Sequence, residues 1–398
     1  MFTARPFAAL ARASVAAPAS ARLRFFATAS ALKDLSAKDI KITQTTKSKE
    51  MLPLKDLVFG HTFSDHMLIA EWEATKGWAN PEIKPYGKLS LDPSATVFHY
   101  AIECFEGMKA YKDKEGKIRL FRPDMNMNRL LRSCKRLTLP AFDKDELLKC
   151  IKALLKVDSK WIPGERGYSL YIRPTAIATQ ESLGVGASNK AMIFVIASPV
   201  GPYYKTGFAA VSLYATTKYV RAWPGGTGDA KIGSNYAPGI RPQIEVAQQG
   251  YQQNLWLFGD NVTEVGTMNF FALWKNEAGE TELITPPLDG TILPGVTRDS
   301  ILTLAREWNQ FKVTERPITM SELAKGVKEG RVLEMFGAGT AAIVSPIKNI
   351  NYKGEDLAIP LDPKDPTSQA GPWTKKFADV IMGIQYGEIP HKWSVVVD

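Results

Sequence analysis

The stretch Ser198-Pro-Val-Gly-Pro-Tyr-Tyr-Lys-Thr-Gly207 limits what this chain can fold into more than any other. Two prolines and two glycines within it interrupt helix and strand alike, and tracts that alternate strand-like and helix-like patterns stand on both sides. A chain of 398 residues is long for one core, so the break reads as a domain boundary. The expectation is a small domain over residues 34–200, a linker over 201–208 and a large domain over 209–398.

Both tracts read as α+β. Before the break, Lys117-Ile-Arg-Leu-Phe121 alternates polar and apolar residues after the turn Asp113-Lys-Glu-Gly116, which predicts a hairpin with the preceding apolar segment. Apolar residues at helical spacing predict a helix over 124–137. Asp143 and Glu146 form a capping signal ahead of Leu147, Ile151 and Leu154, which predicts a second. Strands follow over 169–173 and 191–197. After the break, strands are expected over 211–215, 254–258, 270–274, 281–284 and 332–336. Helices are expected over 237–249, 297–308, 321–327 and 373–384.

Residues 1–33 have another character. Arg5, Arg12, Arg22, Arg24 and Lys33 occur there without one acidic residue, among Ala, Ser and Phe, which is the composition of a mitochondrial transit peptide. Without these five charges the net +9 of the chain falls to about +4, so its basicity does not point to nucleic acid. No apolar run approaches the ~20 residues of a membrane span. The cysteines Cys104, Cys134 and Cys150 are odd in number and lack metal spacing, which argues for reduced, mostly buried thiols in an intracellular compartment. His61, His66, His99 and His391 form no ligand cluster either.

Chemistry concentrates around Trp223-Pro-Gly-Gly-Thr-Gly-Asp-Ala-Lys-Ile-Gly-Ser-Asn-Tyr236. Its glycines allow a ligand or a second segment to approach closely. A phosphate loop needs Gly before the lysine and Ser or Thr after it, and Ala230 and Ile232 hold those places. Lys231 is then either a Schiff-base lysine with Tyr236 as its proton partner or a solvated lysine. Leu293-Pro-Gly-Val-Thr297 opens a helix whose free N–H groups suit a phosphate. Gly337-Ala-Gly-Thr340 reads as a glycine turn ending in a hydroxyl. Together with Lys231 these suggest a phosphorylated cofactor. Glu264 lies in an apolar surround and needs a cation, either a protonated ring nitrogen or a structural arginine. Arg129 and Arg173 are either packed surface arginines or forks for an anion.

Thr62-Phe-Ser-Asp-His-Met-Leu68, Phe105-Glu-Gly-Met-Lys-Ala110, Tyr219-Val-Arg-Ala-Trp223, Gly228-Asp-Ala-Lys-Ile-Gly-Ser-Asn-Tyr236, Thr263-Glu-Val-Gly-Thr-Met-Asn269, Leu293-Pro-Gly-Val-Thr-Arg298 and Phe336-Gly-Ala-Gly-Thr-Ala341 carry a resemblance. Over about residues 57–393 the chain resembles the branched-chain amino acid aminotransferases, class IV (fold-type IV) pyridoxal-phosphate enzymes, in their mitochondrial form. The resemblance implies a two-domain α+β fold, a small N-terminal α/β domain followed by a larger one built on a pseudo-barrel sheet. It implies transamination between leucine, isoleucine or valine and 2-oxoglutarate by a homodimer in the mitochondrial matrix, with no nucleic acid or membrane partner. Within the same class, D-amino acid transamination and aminodeoxychorismate cleavage are the alternatives.

By the same resemblance, Lys231 joins pyridoxal 5'-phosphate as a Schiff base and shuttles the substrate proton. Glu264 binds the ring nitrogen, Tyr236 the phenolic oxygen, and Thr267 lies near the ring. Arg129, Val296, Thr297 and Thr340 hold the phosphate, with Arg221 assisting. Phe63, Tyr100, Phe105, Tyr171 and Tyr203 form an apolar wall, while Arg173 with the Tyr100 hydroxyl receives the γ-carboxylate of glutamate. The backbone of Thr340 and Ala341 holds the α-carboxylate, and Val185 belongs to a loop that closes the neighbouring subunit's site. Some mitochondrial relatives carry a redox-active Cys-x-x-Cys where Ala342 and Ser345 stand here, so that form of thiol control is not expected.

Overall fold

In the computed structural model the described residues are 32–202 and 208–398. Residues 1–31 of the leader expected over 1–33, the middle of the expected linker and Tyr203 lie outside them. Lys33–Asp398 forms one unit that carries two sheets.

The first sheet is built on His66–Glu73, Lys190–Val200, Ser169–Ala178, Met108–Lys112 and Ile118–Phe121, hydrogen-bonded in that order and all antiparallel. The last two are the expected hairpin, and the C-terminal strand Ser394–Val396 returns to pair with Ile118–Phe121. Helices Pro123–Arg136 and Lys144–Val157 bury Leu130, Leu147, Ile151 and Leu154 in the core of this sheet, each such side chain contributing about 1.5–3 kcal/mol. Asp143 caps the second helix, accepting from the N–H groups of Asp145 at 2.8 Å and Glu146 at 3.1 Å. Glu146 does not close the reciprocal box; its carboxylate takes the Ala37 N–H at 2.7 Å and so ties down the segment before the sheet.

The second sheet closes on itself. Asn261–Val265, Gln253–Phe258, Val211–Thr216, Ile343–Tyr352, Val332–Gly339 and Met268–Lys275 pair in succession, and the last returns to the first through Glu264↔Asn269 and Val265↔Met268. Closure removes the exposed edges that an open sheet would present. Thr281–Thr285 and Lys312–Glu315 extend it outward. Helices Val296–Trp308 and Pro372–Gln385 pack on it through Ile301, Phe336 and Phe377. The result is the α+β, fold-type IV arrangement that the resemblance implied.

Three local expectations need correction. Gly337 and Gly339 belong to the strand Val332–Gly339, and the turn is Thr340–Ala342. The glycines are used for clearance, because a Cβ on Gly337 would stand 3.0 Å from the Met268 methyl. The helix expected over 237–249 splits into a 3₁₀ turn, Ala237–Gly239, and a short helix, Ile240–Ala247, since Pro238 and Gly239 resist a continuous start. Asn261–Val265 and Ile343–Tyr352, both in the ring, were not foreseen. In the second, Pro346 and Lys348 hide the alternation that marks a strand.

Candidate active site

The loop around Lys231 is pinned between the helix Pro123–Arg136 and the strand Glu103–Phe105. The Lys231 N–H donates to the Ser133 hydroxyl at 2.9 Å, and its carbonyl accepts from Phe105 N–H at 3.0 Å. Ile232 bridges to Cys104. Glycine is required here by close approach: a Cβ on Gly228 would meet the Thr291 carbonyl at 2.7 Å, and one on Gly233 would collide with the Glu103 carboxylate. The second chain segment expected near the loop is therefore real, and it comes from two directions.

So anchored, the lysine side chain projects into a cavity of about 350 Å³. Its Nζ lies 2.9 Å from the Tyr236 hydroxyl, over the rings of Phe105 and Tyr236. Phe105, Tyr171, Arg173, Thr340 and Ala341 line the same space, with Arg129, Thr267, Val296 and Thr297. Thr267 reaches it through a two-residue hairpin loop, Gly266-Thr267, in which Gly266 adopts φ +55°. That loop is legible as Val-Gly-Thr-Met and was missed.

Glu264 is 2 % exposed and does not form part of the cavity surface. One carboxylate oxygen takes the Leu293 N–H at 2.8 Å, and the other pairs with Arg221 Nε at 2.9 Å. Burial pushes its pKa above the ordinary value, while Arg221, the Leu293 N–H and the charges of Lys231 and Arg129 pull it down. Arg221 thus faces Glu264 and the Thr291 carbonyl, 3.1 Å away, not the phosphate end where it was expected. A guanidinium next to a buried carboxylate gains more from pairing there than from standing free.

Arg129 also has a partner that sequence reasoning missed. Its Nε and Nη2 fork onto the two oxygens of Glu106 at 2.6 and 2.9 Å, and Nη1 donates to the Pro294 carbonyl at 2.9 Å. Glu106 is fully buried; burial alone would raise its pKa, but Arg129, Lys231 and Asn126 hold it below the ordinary value. Two guanidinium N–H bonds of Arg129 are left for the cavity.

The aromatic wall differs in part from expectation. Phe59 lines the cavity, edge-on to Tyr171 at 4.8 Å, whereas Phe63 stacks on Tyr86 at 5.0 Å and is not on its surface. Tyr100 is not on it either: its hydroxyl donates to the Leu183 carbonyl, placing it on the same outer arm as Val185, which is 81 % exposed. Arg173 consequently contacts the Tyr171 hydroxyl at 3.1 Å instead of Tyr100. Its guanidinium lies 4.6 Å from the Phe105 ring centre, and among the described residues its buried Nε has no partner.

These residues fit pyridoxal phosphate. The helix Val296–Trp308 starts at Gly295 without a side-chain cap, and Gly295, Val296 and Thr297 all face the cavity, so uncapped N–H groups and the positive dipole end await an anion there. Arg129 and Thr340 face the same cavity, as does the primary amine of Lys231. A phosphate can be bound and a carbonyl captured within one enclosure.

Known proteins with this arrangement agree. The pattern that defines the amino-transferase class IV family matches residues 103–350. The branched-chain-amino-acid aminotransferase of Dictyostelium discoideum is 63% identical over 343 residues, 86% of this chain and 90% of its own. The enzyme of that name described as cytosolic in Saccharomyces cerevisiae is 56% identical over 373 residues, 92% of this chain and 98% of its own. Among solved structures, the branched-chain aminotransferase of Thermoproteus uzoniensis with norvaline superposes with a TM-score of 0.67 at 25% identity, covering 83% of this chain and 100% of that one. With the lysine, its anion cradle and the closed sheet all in place, likeness over nearly the whole length has one meaning: this chain belongs to the class IV aminotransferases and, within them, to the branched-chain-amino-acid aminotransferase family.

Proposed function

We infer that this chain exchanges the amino group between branched-chain L-amino acids and 2-oxoglutarate, giving the branched-chain 2-oxo acids and L-glutamate. The observation that carries the reading is the position of Arg173, whose guanidinium lies over the rings of Phe105 and Tyr171 and lines the Lys231 cavity. One pocket thereby offers apolar faces for a leucine, isoleucine or valine side chain and a charged fork for the γ-carboxylate of glutamate.

Pyridoxal phosphate is the cofactor, and when bound it supplies the electron sink that lets a proton leave the substrate α-carbon. Lys231 would hold it, with Arg129, the N–H groups of Val296 and Thr297 and the Thr340 hydroxyl around the phosphate. Lys231 takes the α-proton and returns it, and Tyr236 steadies the amine through its 2.9 Å hydrogen bond. Glu264, faced by Arg221 at 2.9 Å, would hold a proton at the ring nitrogen. The backbone of Thr340 and Ala341 receives the α-carboxylate shared by all the substrates. Phe59, Phe105 and Tyr171 keep water from the reacting carbon.

We also propose a homodimer in which the arm bearing Tyr100 and Val185 completes the neighbouring site; the Tyr100 hydroxyl, donating to the Leu183 carbonyl, ties the two segments of the arm together. Residues 34–200 and 209–398 are proposed as the small and large domains, a division supported by the way each sheet draws its strands from one side of 201–208, apart from Ser394–Val396. The composition of residues 1–33 supports import into mitochondria; membership of the family does not set the compartment, since the yeast relative above is named cytosolic.

Spectral titration of the purified protein tests the reaction. L-leucine should bleach the visible absorption of the bound cofactor and 2-oxoglutarate should restore it, with Lys231→Ala abolishing both responses. A protein that responds to D-alanine and not to L-leucine would overturn the reading.

A further inference from the structure

Lys109 lies within the strand Met108–Lys112, opposite Tyr171. Its side chain leaves that sheet altogether, and Nζ donates to the Ala341 carbonyl at 2.8 Å. The residue is 8 % exposed, and among the described residues no carboxylate pairs with it. Burial brings its pKa down to about 8. An ammonium buried against a single carbonyl is costly to keep, so the contact calls for a reason other than packing.

The reason lies in the turn it grips. Thr340–Ala342 joins Val332–Gly339 to Ile343–Tyr352, with Gly339 and Ile343 as the last register pair. Ile343 ends the turn at φ +64°, a left-handed conformation in which a glycine would be at ease and a β-branched residue is strained. The turn is therefore not held by its own backbone preference, and something outside it has to fix it. Ala341 and Ala342 face the Lys231 cavity on one side and a second cavity of about 200 Å³, bordered by Lys109, on the other. The turn is a thin wall, and Lys109 is the polar prop behind it.

We propose that Lys109 is a positioning residue for substrate: by holding the Ala341 carbonyl it fixes the turn whose backbone receives the α-carboxylate. This rests on the reading of that turn given above. Leucine, glutamate and their oxo acids all carry the α-carboxylate and differ in the side chain beyond the β-carbon. A loosened turn must then weaken all of them by one common factor, whereas a residue of the side-chain pocket such as Arg173 weakens one class and spares the other.

The test is the apparent Kd for L-leucine and for L-glutamate in the half-reactions of the holoenzyme. Lys109→Met should raise both by the same factor, about tenfold for the loss of a charge-assisted hydrogen bond, while the rate at saturation changes by less than about twofold. Lys109→Arg, which can donate to the same carbonyl, should restore both constants. Unchanged constants, or a shift confined to one substrate, overturn the proposal. Should Lys109→Met fail to retain the cofactor, Lys109→Gln is measured instead, with a smaller but equal rise expected for the two substrates and an unequal one overturning the idea. A wild-type holoenzyme indifferent to L-leucine would instead defeat the reading of the reaction itself.

Discussion

Arg221 and Glu264 form an ion pair, Nε to Oε2 at 2.9 Å, with both side chains almost wholly buried next to the Lys231 cavity. A carboxylate in such a place keeps its charge only while a cation faces it. Arg221→Met should therefore raise the Glu264 pKa further and cost stability, up to roughly 3–5 kcal/mol where the carboxylate is left charged without its partner. The pH dependence has a definite sign. Glu264 holds its proton to higher pH in the folded than in the unfolded chain. Stability then falls as pH rises from the ordinary carboxylate value through the folded one. Denaturant midpoints measured across pH should show this fall enlarged and moved to higher pH in the variant.

Arg173 is expected to discriminate between substrates. Its guanidinium meets the cavity beside Phe105 and Tyr171, so Arg173→Gln removes the fork for the γ-carboxylate and leaves the aromatic faces. The loss of a charged hydrogen bond, about 1.5–3 kcal/mol, corresponds to a rise of roughly 10–100-fold in KM for 2-oxoglutarate. KM for L-leucine should stay within about threefold. Steady-state kinetics with each substrate varied in turn will show whether the two constants separate.

The thiols make a third case. Cys104 Sγ and Cys134 Sγ are 3.4 Å apart, one on the strand beside Phe105 and the other on the helix that carries Arg129. The contact with Cys134 and burial push the Cys104 thiol far above its ordinary pKa, and burial raises that of Cys150 to about 12. Thiolate is the reactive form and all three thiols are buried, so none of them should be alkylated by iodoacetamide at pH 8 in the native protein. All should react together when the chain unfolds, and mass spectrometry of pulse-labelled samples will count them.

What the sequence revealed and what it concealed divide along one line. Lys231, Tyr236, Val296, Thr297, Thr340 and Ala341 sit in motifs whose local chemistry is complete within a few residues, and they line one cavity. The partners that neutralise buried charge were not readable. Glu106 waits for Arg129, Arg221 turns to Glu264, and Lys109 reaches Ala341 across 232 residues of chain. Pattern and propensity say that a charge lies in an apolar surround; they do not say which distant group will face it. The glycines of Gly337-Ala-Gly339 misled for a related reason, because they serve clearance for Met268 in a strand and not a turn. Likewise, Val185 and Tyr100 belong to an exposed arm, and no local feature separates a residue that lines its own cavity from one that leaves it.

Glu106 supplies the sharpest test of that nonlocal design. It is the buried end of a fork with Arg129 and its pKa lies below the ordinary value. A carboxyl depressed in the folded state contributes stability that is present above the unfolded pKa and is lost as pH falls through the folded one. Glu106→Gln keeps the shape but strands the Arg129 guanidinium in the interior, at a cost of roughly 3–5 kcal/mol at neutral pH. It should also flatten the acid limb of the stability curve, because the group that titrates there is gone. A freed Arg129 can turn its full fork toward the phosphate, so the variant should lose stability and yet hold the cofactor at least as tightly as wild type. Chemical denaturation between pH 3 and 7, with cofactor release followed by absorbance, measures both, and a variant that sheds cofactor in proportion to its lost stability would show that Glu106 aims Arg129 instead of competing for it.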